Sequence, residues 1–222
     1  MSRRANASLR CPRCRMHASL CVCALIPHPR LETRTRLLLV IHRLEDRKTT
    51  NTGRLAAECL TNSAVVVRGH ASQPDPSIAW DPSSQPVLLF PHEGAVPLTH
   101  FVHRDVTLIV PDGTWRQASK VRQRVPGLAA IPCATLPPDA PSVYRLRSEA
   151  HEQGLATLEA IARAFGILEG LHVRHAMERV FRAMVERTLW ARGSMETEDV
   201  ADGIPSGVMR HDPRSGEPRI PA

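Results

Sequence analysis

No stretch of this 222-residue chain approaches the roughly 20 apolar residues that a membrane-spanning helix requires. The longest strongly apolar runs, such as Leu37 to Ile41 and Val106 to Val110, stop at five residues. The N-terminus is charged but carries no apolar signal core, so cytoplasm is the default expectation. Aromatics make up only 4% of the chain, which argues against an extended base-stacking platform. Lysine is nearly missing: only Lys48 and Lys120 occur, so almost all positive charge is guanidinium. There is no GxGxxG and no GxxxxGK[ST], which excludes a standard dinucleotide binder and a P-loop nucleotidase. A serine nucleophile elbow is missing as well.

The charge that is present is unevenly spread. The net value is +7, with +6 in residues 1–30, +4 in the middle and −3 in residues 193–222. Arginine meets phosphate as a planar fork, so the basic N-terminal arm suits a nucleic-acid partner. Heavy arginine usage also follows genomic base composition. A 42% hydrophobic content is ordinary for a soluble protein, and 222 residues suffice for one domain with a small appendage.

Within the arm, Cys11-Pro12-Arg13-Cys14 is followed six residues later by Cys21-Val22-Cys23. Four thiols in thirteen residues, paired two and two, have the composition of a structural Zn–S₄ site. The one-residue gap between Cys21 and Cys23 departs from the usual CxxC…CxxC knuckle. Redox-active thiols, or three cysteines with His17, are the alternatives.

From Thr35 the pattern becomes α/β. Thr35 to His42 reads as a buried strand, followed by a charged loop (Arg43 to Lys48) and by Thr49-Thr50-Asn51-Thr52-Gly53-Arg54. Asn51 or Thr52 can cap a helix through Leu55, Ala56, Ala57 and Leu60. A strand, a basic polar loop and a helix start form a natural anion site; a well-capped helix alone explains the same residues. Ala64 to Val67 reads as a second strand, residues 69–86 as a surface excursion with Trp80 packed beneath it, and Val87 to Phe90 as a third strand ended by Pro91-His92-Glu93. The fourth strand, Val106 to Val110, is stopped by Pro111. After it come Asp112-Gly113-Thr114-Trp115 and a segment of helical composition. A carboxylate at the carboxyl end of a central strand is where open α/β sheets place ligands, although Asp112 or Thr114 also serves as an ordinary helix cap.

Farther on, Leu128 to Ile131 is a short apolar piece that leads to Tyr144-Arg145-Leu146-Arg147. Ser148 and Glu149 begin a helix through Leu155, Leu158, Ile161 and Phe165, and a second helix runs from about Leu171. Residues 193–222 lack periodicity and read as a disordered tail. The domain plan is therefore a basic arm at 1–30, an α/β domain at 31–192 and a tail at 193–222. Three loops, after the first, third and fourth strands, place polar groups at one sheet edge.

These pieces together resemble the DTW-domain family, the tRNA-uridine aminocarboxypropyltransferases. The resemblance rests on Cys11, Cys14, Cys21 and Cys23; on His42 through Lys48, Asn51, Thr52, Gly53 and Arg54; on Asp112-Gly113-Thr114-Trp115; on Tyr144 to Arg147; and on Leu155-Ala156-Thr157-Leu158-Glu159-Ala160. Two departures stand out. Arg43 follows the first-strand His42 where a proline is usual, and Phe90-Pro91-His92-Glu93 replaces a Tyr-Pro-Gly-Glu.

The resemblance implies a mostly parallel SPOUT-like α/β fold with a knotted cofactor pocket. It also implies transfer of the 3-amino-3-carboxypropyl group of S-adenosylmethionine to N3 of a tRNA uridine. The roles it suggests are Asp112 as general base or sulfonium partner; Thr114, Trp115, Tyr144, Arg145, Leu155, Thr157 and Leu158 at the cofactor; and Lys48, Asn51, Thr52, Gly53, Arg54 and Arg147 at the substrate. A methyltransferase of the same cofactor, an enzyme acting on rRNA, and a non-catalytic zinc-dependent RNA-binding protein are the competing readings.

Overall fold

The structure, a computed structural model, describes residues 8–70, 74–146, 154–213 and 215–218. In chain order, a first strand β1 (Arg36–His42) runs into a single helical turn α1 (Arg43–Asp46) and then α2 (Gly53–Cys59). Next come β2 (Ser63–Arg68), β3 (Gln85–Leu89), a two-residue β4 (Val96–Pro97) and β5 (Val106–Asp112). Two short helical turns, α3 (Trp115–Ala118) and α4 (Val121–Arg124), lead to β6 (Cys133–Thr135), and two long helices, α5 (Thr157–Leu168) and α6 (Leu171–Ala191), follow.

All strand pairs in the sheet are parallel, in the order β2-β1-β5-β3-β6-β4. The central strands are buried on both faces, which is why they read as unbroken apolar runs. Alternation along β1 splits the core in two. Leu37, Leu39 and Ile41 face α2, α5 and α6, while Leu38 and Val40 face Val121, Val125 and Leu128 of the α4 region. The chain therefore leaves neighbouring strands β1 and β5 toward opposite faces of the sheet. A crevice at such a switch point is where open α/β sheets place ligands.

Several expectations need correction. Pro111 does not stop β5, which continues through it to Asp112. The ladder from β5 to β3 ends at Ile109, so beyond that point β5 has a neighbour on one side only. A missing N–H is tolerated at such an edge. The sequence assigned no strand between β5 and Tyr144, but after the short apolar piece, whose Leu128 and Ile131 are buried in the core, the chain forms β6 at Cys133–Thr135. Ser148 and Glu149 lie outside the described residues, and the described helix begins at Thr157.

Residues 193–222 are not a disordered tail over their described part. Val200 is buried in the main core, Trp190 donates to Thr197, and Arg10 reaches the carbonyl of Pro213. The segment lacks periodicity because it is held by loop contacts rather than by regular structure. The arm at 8–30 joins the same core through Met16, Leu20, Val22 and Ile26.

Arg187 of α6 joins these two segments. Its guanidinium donates to the carbonyl oxygens of Cys21 (2.5 Å), Gly203 (2.9 Å) and Asp202 (3.2 Å), and burial pushes its pKa down. Replacing it with alanine removes three hydrogen bonds from a charged donor to part-buried carbonyls, at about 3 kcal/mol, which for this chain length lowers Tm by roughly 6–12 °C. Calorimetry of Arg187→Ala checks this; a shift of less than a degree would contradict the packing described.

Candidate functional site

Asp112, the last residue of β5, is 5% exposed. By strand parity its side chain points to the α2/α5 face, together with Leu108 and Val110. Both of its oxygens accept hydrogen bonds. Asn51 Nδ2 donates to Oδ2 at 2.6 Å, and Thr157 Oγ1 donates to Oδ1 at 2.7 Å. One carboxylate thus ties the β1–α2 loop to the first residue of α5. Gly53 lies so close that any side chain there would collide with the Asp112 carboxylate. Asn51 closes the turn with its own side-chain oxygen, which accepts from Arg54 N at 3.2 Å. Thr52 Oγ1 accepts from Leu158 N at 3.2 Å. Asn51, Thr52, Asp112 and Thr157, with Gly53 packed against the carboxylate, therefore form one cluster assembled from segments more than a hundred residues apart.

Tyr144 joins the cluster from the side. Its hydroxyl donates to Thr50 O at 2.8 Å, and its ring lies 5.8 Å from that of Phe181. The loop that carries it is fastened by Glu159, a buried carboxylate that accepts from Ser142 Oγ (2.5 Å), Val143 N (2.9 Å) and Ala156 N (2.9 Å). In sequence Glu159 stands out only as part of the Leu155 to Ala160 motif. A Glu three residues into a helix is the signal that could have marked it.

The remaining expected residues are dispersed. Leu158 is fully buried in the core and contributes through its N–H, not as a wall; Leu155 is half-buried. Lys48 pairs with Glu45 at 2.6 Å, and Arg54 is committed to Asp46. Arg145 is exposed, and Arg147 lies outside the described residues. Thr114 caps α3, accepting from Gln117 N at 3.3 Å while its own N donates to Gln117 Oε1 at 2.9 Å. Trp115 is 37% exposed, with its ring 5.3 Å from that of Phe90.

On the opposite face, His42 was quoted in sequence without a role. Its Nδ1 lies 3.1 Å from Gln117 Nε2 and accepts from Leu44 N at 3.3 Å. Burial, then the charges of Arg68 and Arg43, hold its pKa below the ordinary value. A cavity of about 290 Å³ opens there. A second recess of about 270 Å³ runs between the arm and the β1–α2 loop, with Arg10, Arg15, Arg47 and Lys48 in its wall.

The four arm cysteines gather at one point, every sulfur within 4.8 Å of the others. Cys11 and Cys23 stand 3.5 Å apart, Cys14 and Cys21 3.6 Å. Sulfurs on a tetrahedral zinc, at about 2.3 Å each, stand roughly 3.8 Å apart, so the thiols already have the spacing of a metal site. Arg15 takes a left-handed conformation (φ 60°) to close the turn between Cys11 and Cys14. Burial opposes ionisation of Cys11, but the backbone N–H groups of Cys14 and Arg13 and the neighbouring thiols bring it down to about 7. Burial pushes Cys14 up to about 11.

A parallel α/β sheet with a polar cluster at its switch point and a four-thiol knuckle folded into its core defines the class of protein. More narrowly, the chain belongs to the DTW domain family, whose model matches residues 8–189. It is 27% identical over 172 residues to tRNA-uridine aminocarboxypropyltransferase 2 of Drosophila melanogaster, covering 74% of this chain and 68% of that protein. With the Macaca fascicularis protein of the same name it shares 29% over 167 residues, covering 72% of this chain but 56% of the relative. With tRNA-uridine aminocarboxypropyltransferase A of Arabidopsis thaliana it shares 26% over 211 residues, covering 79% of each. Among solved structures, that of the SAM-dependent rRNA:acp-transferase Tsr3 from Vulcanisaeta distributa aligns with 77% of this chain and 85% of that one, at 17% identity and a TM-score of 0.44.

Because the arm shares the main core, metal and fold are linked. Purified protein is expected to carry about one zinc per chain by elemental analysis. Cys14→Ser should lose the metal and lower Tm, whereas the buried Cys59→Ser should keep it. Retention of stoichiometric zinc by Cys14→Ser would contradict the ligand set.

Proposed function

We propose that the chain transfers the 3-amino-3-carboxypropyl group of S-adenosylmethionine to N3 of a uridine in tRNA. The reaction forms a bond between N3 and the γ-carbon of the amino-acid arm. It breaks the bond from that carbon to sulfur, releases methylthioadenosine as a neutral thioether, and frees the N3 proton. The observation that carries this reading is the anchored Asp112 at the switch point, in a chain of the DTW family whose relatives are named for this activity.

The resemblance assigns Trp115 and Leu155 to the adenine side of the co-substrate, and each keeps part of its apolar surface accessible. S-adenosylmethionine supplies the electrophilic carbon; the protein must select the amino-acid arm over the more common methyl group. That selection is one of orientation, so walls held to within a fraction of an ångström matter more than a strong acid or base.

Asp112 meets this need as a fixed negative charge that also positions the loops. Asp112→Asn should therefore lower kcat about 10²-fold or more at every pH. If Asp112 were instead the general base, the substitution would remove the acid limb of the pH–rate profile. The activity itself is tested by nucleoside mass spectrometry of tRNA incubated with the protein and S-adenosylmethionine. The expected product is aminocarboxypropyluridine; a methylated base would favour the methyltransferase reading, and unmodified tRNA under conditions where both substrates bind would contradict the proposal.

A further inference from the structure

The cavity on the His42 side lies outside the cluster just described. His42, at the carboxyl end of β1, and Arg68, at the end of β2, form its floor, and Arg116, Lys120 and Arg124 line it across from them. The last three recur every four residues through α3, the connecting turn and α4, so they share one side of that segment. No carboxylate lines the cavity. Among the described residues none of these three side chains forms an ion pair, whereas the neighbouring Arg68 is paired with Asp75.

A second observation points to an anion. Arg68 is 3% exposed; its two terminal nitrogens are used by Asp75 (3.0 Å) and Gln117 O (2.8 Å), yet its Nε is buried with no hydrogen-bond partner among the described residues. Asp75 pairs with Arg68, and Glu45 is the other carboxylate that acts on His42. A buried guanidinium that is incompletely satisfied, beside three unpaired cations, is a costly arrangement without a compensating anion.

We propose that this cavity is a phosphodiester subsite that holds the RNA backbone next to the target nucleotide. The placement suits that role, and here the inference rests on the tRNA reading above. Ile41 pairs with Asp112 in the β1–β5 register, so His42 sits one residue beyond the strand position level with the anchored carboxylate. Thr114, two residues after Asp112, is part of the cavity wall. A strand gripped here would run along the edge of the switch-point crevice. Phosphate contacts fix register and orientation without reading sequence, which is what a transferase that must present one base edge requires.

The test is equilibrium binding of unmodified tRNA to the full chain, without turnover, across a salt series. The variant carries Arg116→Gln, Lys120→Gln and Arg124→Gln; Arg116 and Arg124 are exposed and Lys120 is half-buried, and a matching Tm confirms that the variant is folded. The expected result is at least tenfold weaker binding near 0.1 M salt, a salt slope flatter by roughly two, since each neutralised phosphate contributes about 0.7–0.9, and unchanged S-adenosylmethionine affinity. Unchanged tRNA affinity and slope would overturn the proposal. So would a loss confined to S-adenosylmethionine binding, which would assign the cavity to the co-substrate. If the substitutions abolish thermal stabilisation by inorganic phosphate but leave tRNA binding intact, the site is one for a free anion and the proposal also fails. Because binding is read apart from chemistry, a tRNA product other than aminocarboxypropyluridine would count against the function proposed above and leave this result standing.

Discussion

The hydrogen bonds from Asn51 and Thr157 to a single buried carboxylate are the constraint on which the site depends. Asp112 ends a strand buried on both faces, so its position is fixed by the sheet, and its two oxygens carry that fixity into two loops that the chain reaches a hundred residues apart. A carboxylate with 5% exposure is tolerated only because it is satisfied, and removing either donor would leave part of a buried charge without compensation. Gly53 belongs to the same constraint: the absence of a side chain lets the start of α2 close onto the carboxylate. Tyr144 and Glu159 extend the order outward to the loop on the far side.

Around this rigid centre, positive charge is arranged in two recesses of different origin. One lies where the cysteine knuckle meets the β1–α2 loop, drawn together by the contacts of Arg15 and Arg54 with Asp46. The other is built on α3 and α4 against His42 and Arg68. The acidic C-terminal segment does not cancel either: Asp202 and Glu196 are used internally, pairing with Arg179 and Arg210. The uneven charge seen in the sequence is thus partly spent inside the fold: Arg13 and Arg30 of the arm pair with Glu58, and the acids of the C-terminal segment fasten it to the fold.

The parallel sheet was legible because strands buried on both faces read as apolar runs, and β1, β3 and β5 stand within a residue or two of where their runs fall. The four-thiol cluster was legible from spacing, whereas the hydrogen bond between Asp112 and Thr157, two residues quoted in separate motifs, was not. What could not be read was what depends on pairing. Two- and three-residue strands such as β4 and β6 carry too few side chains to show a period. Pro111 stays in β5 only because β3 has already ended beside it, a fact of register. The folding back of residues 193–213 depends on acceptors offered to Arg187, which no local pattern reveals. The fates of Lys48 and Arg54, both spent on ion pairs, and of Leu158, sunk in the core, follow from the packing of α1 and α5 and not from their place in a motif.

The central claim is that Asp112 couples the β1–α2 loop to α5 and thereby shapes the pocket. Calorimetric titration of S-adenosylmethionine into Asn51→Ala and Thr157→Val, each made in the wild-type and in the Asp112→Ala background, tests it most directly. Coupling through the carboxylate predicts that each substitution weakens binding in the wild-type chain but adds little once Asp112 is gone, with interaction energies of about 0.5–3 kcal/mol. Full additivity in the two backgrounds would show that the loops are held independently and would contradict the account.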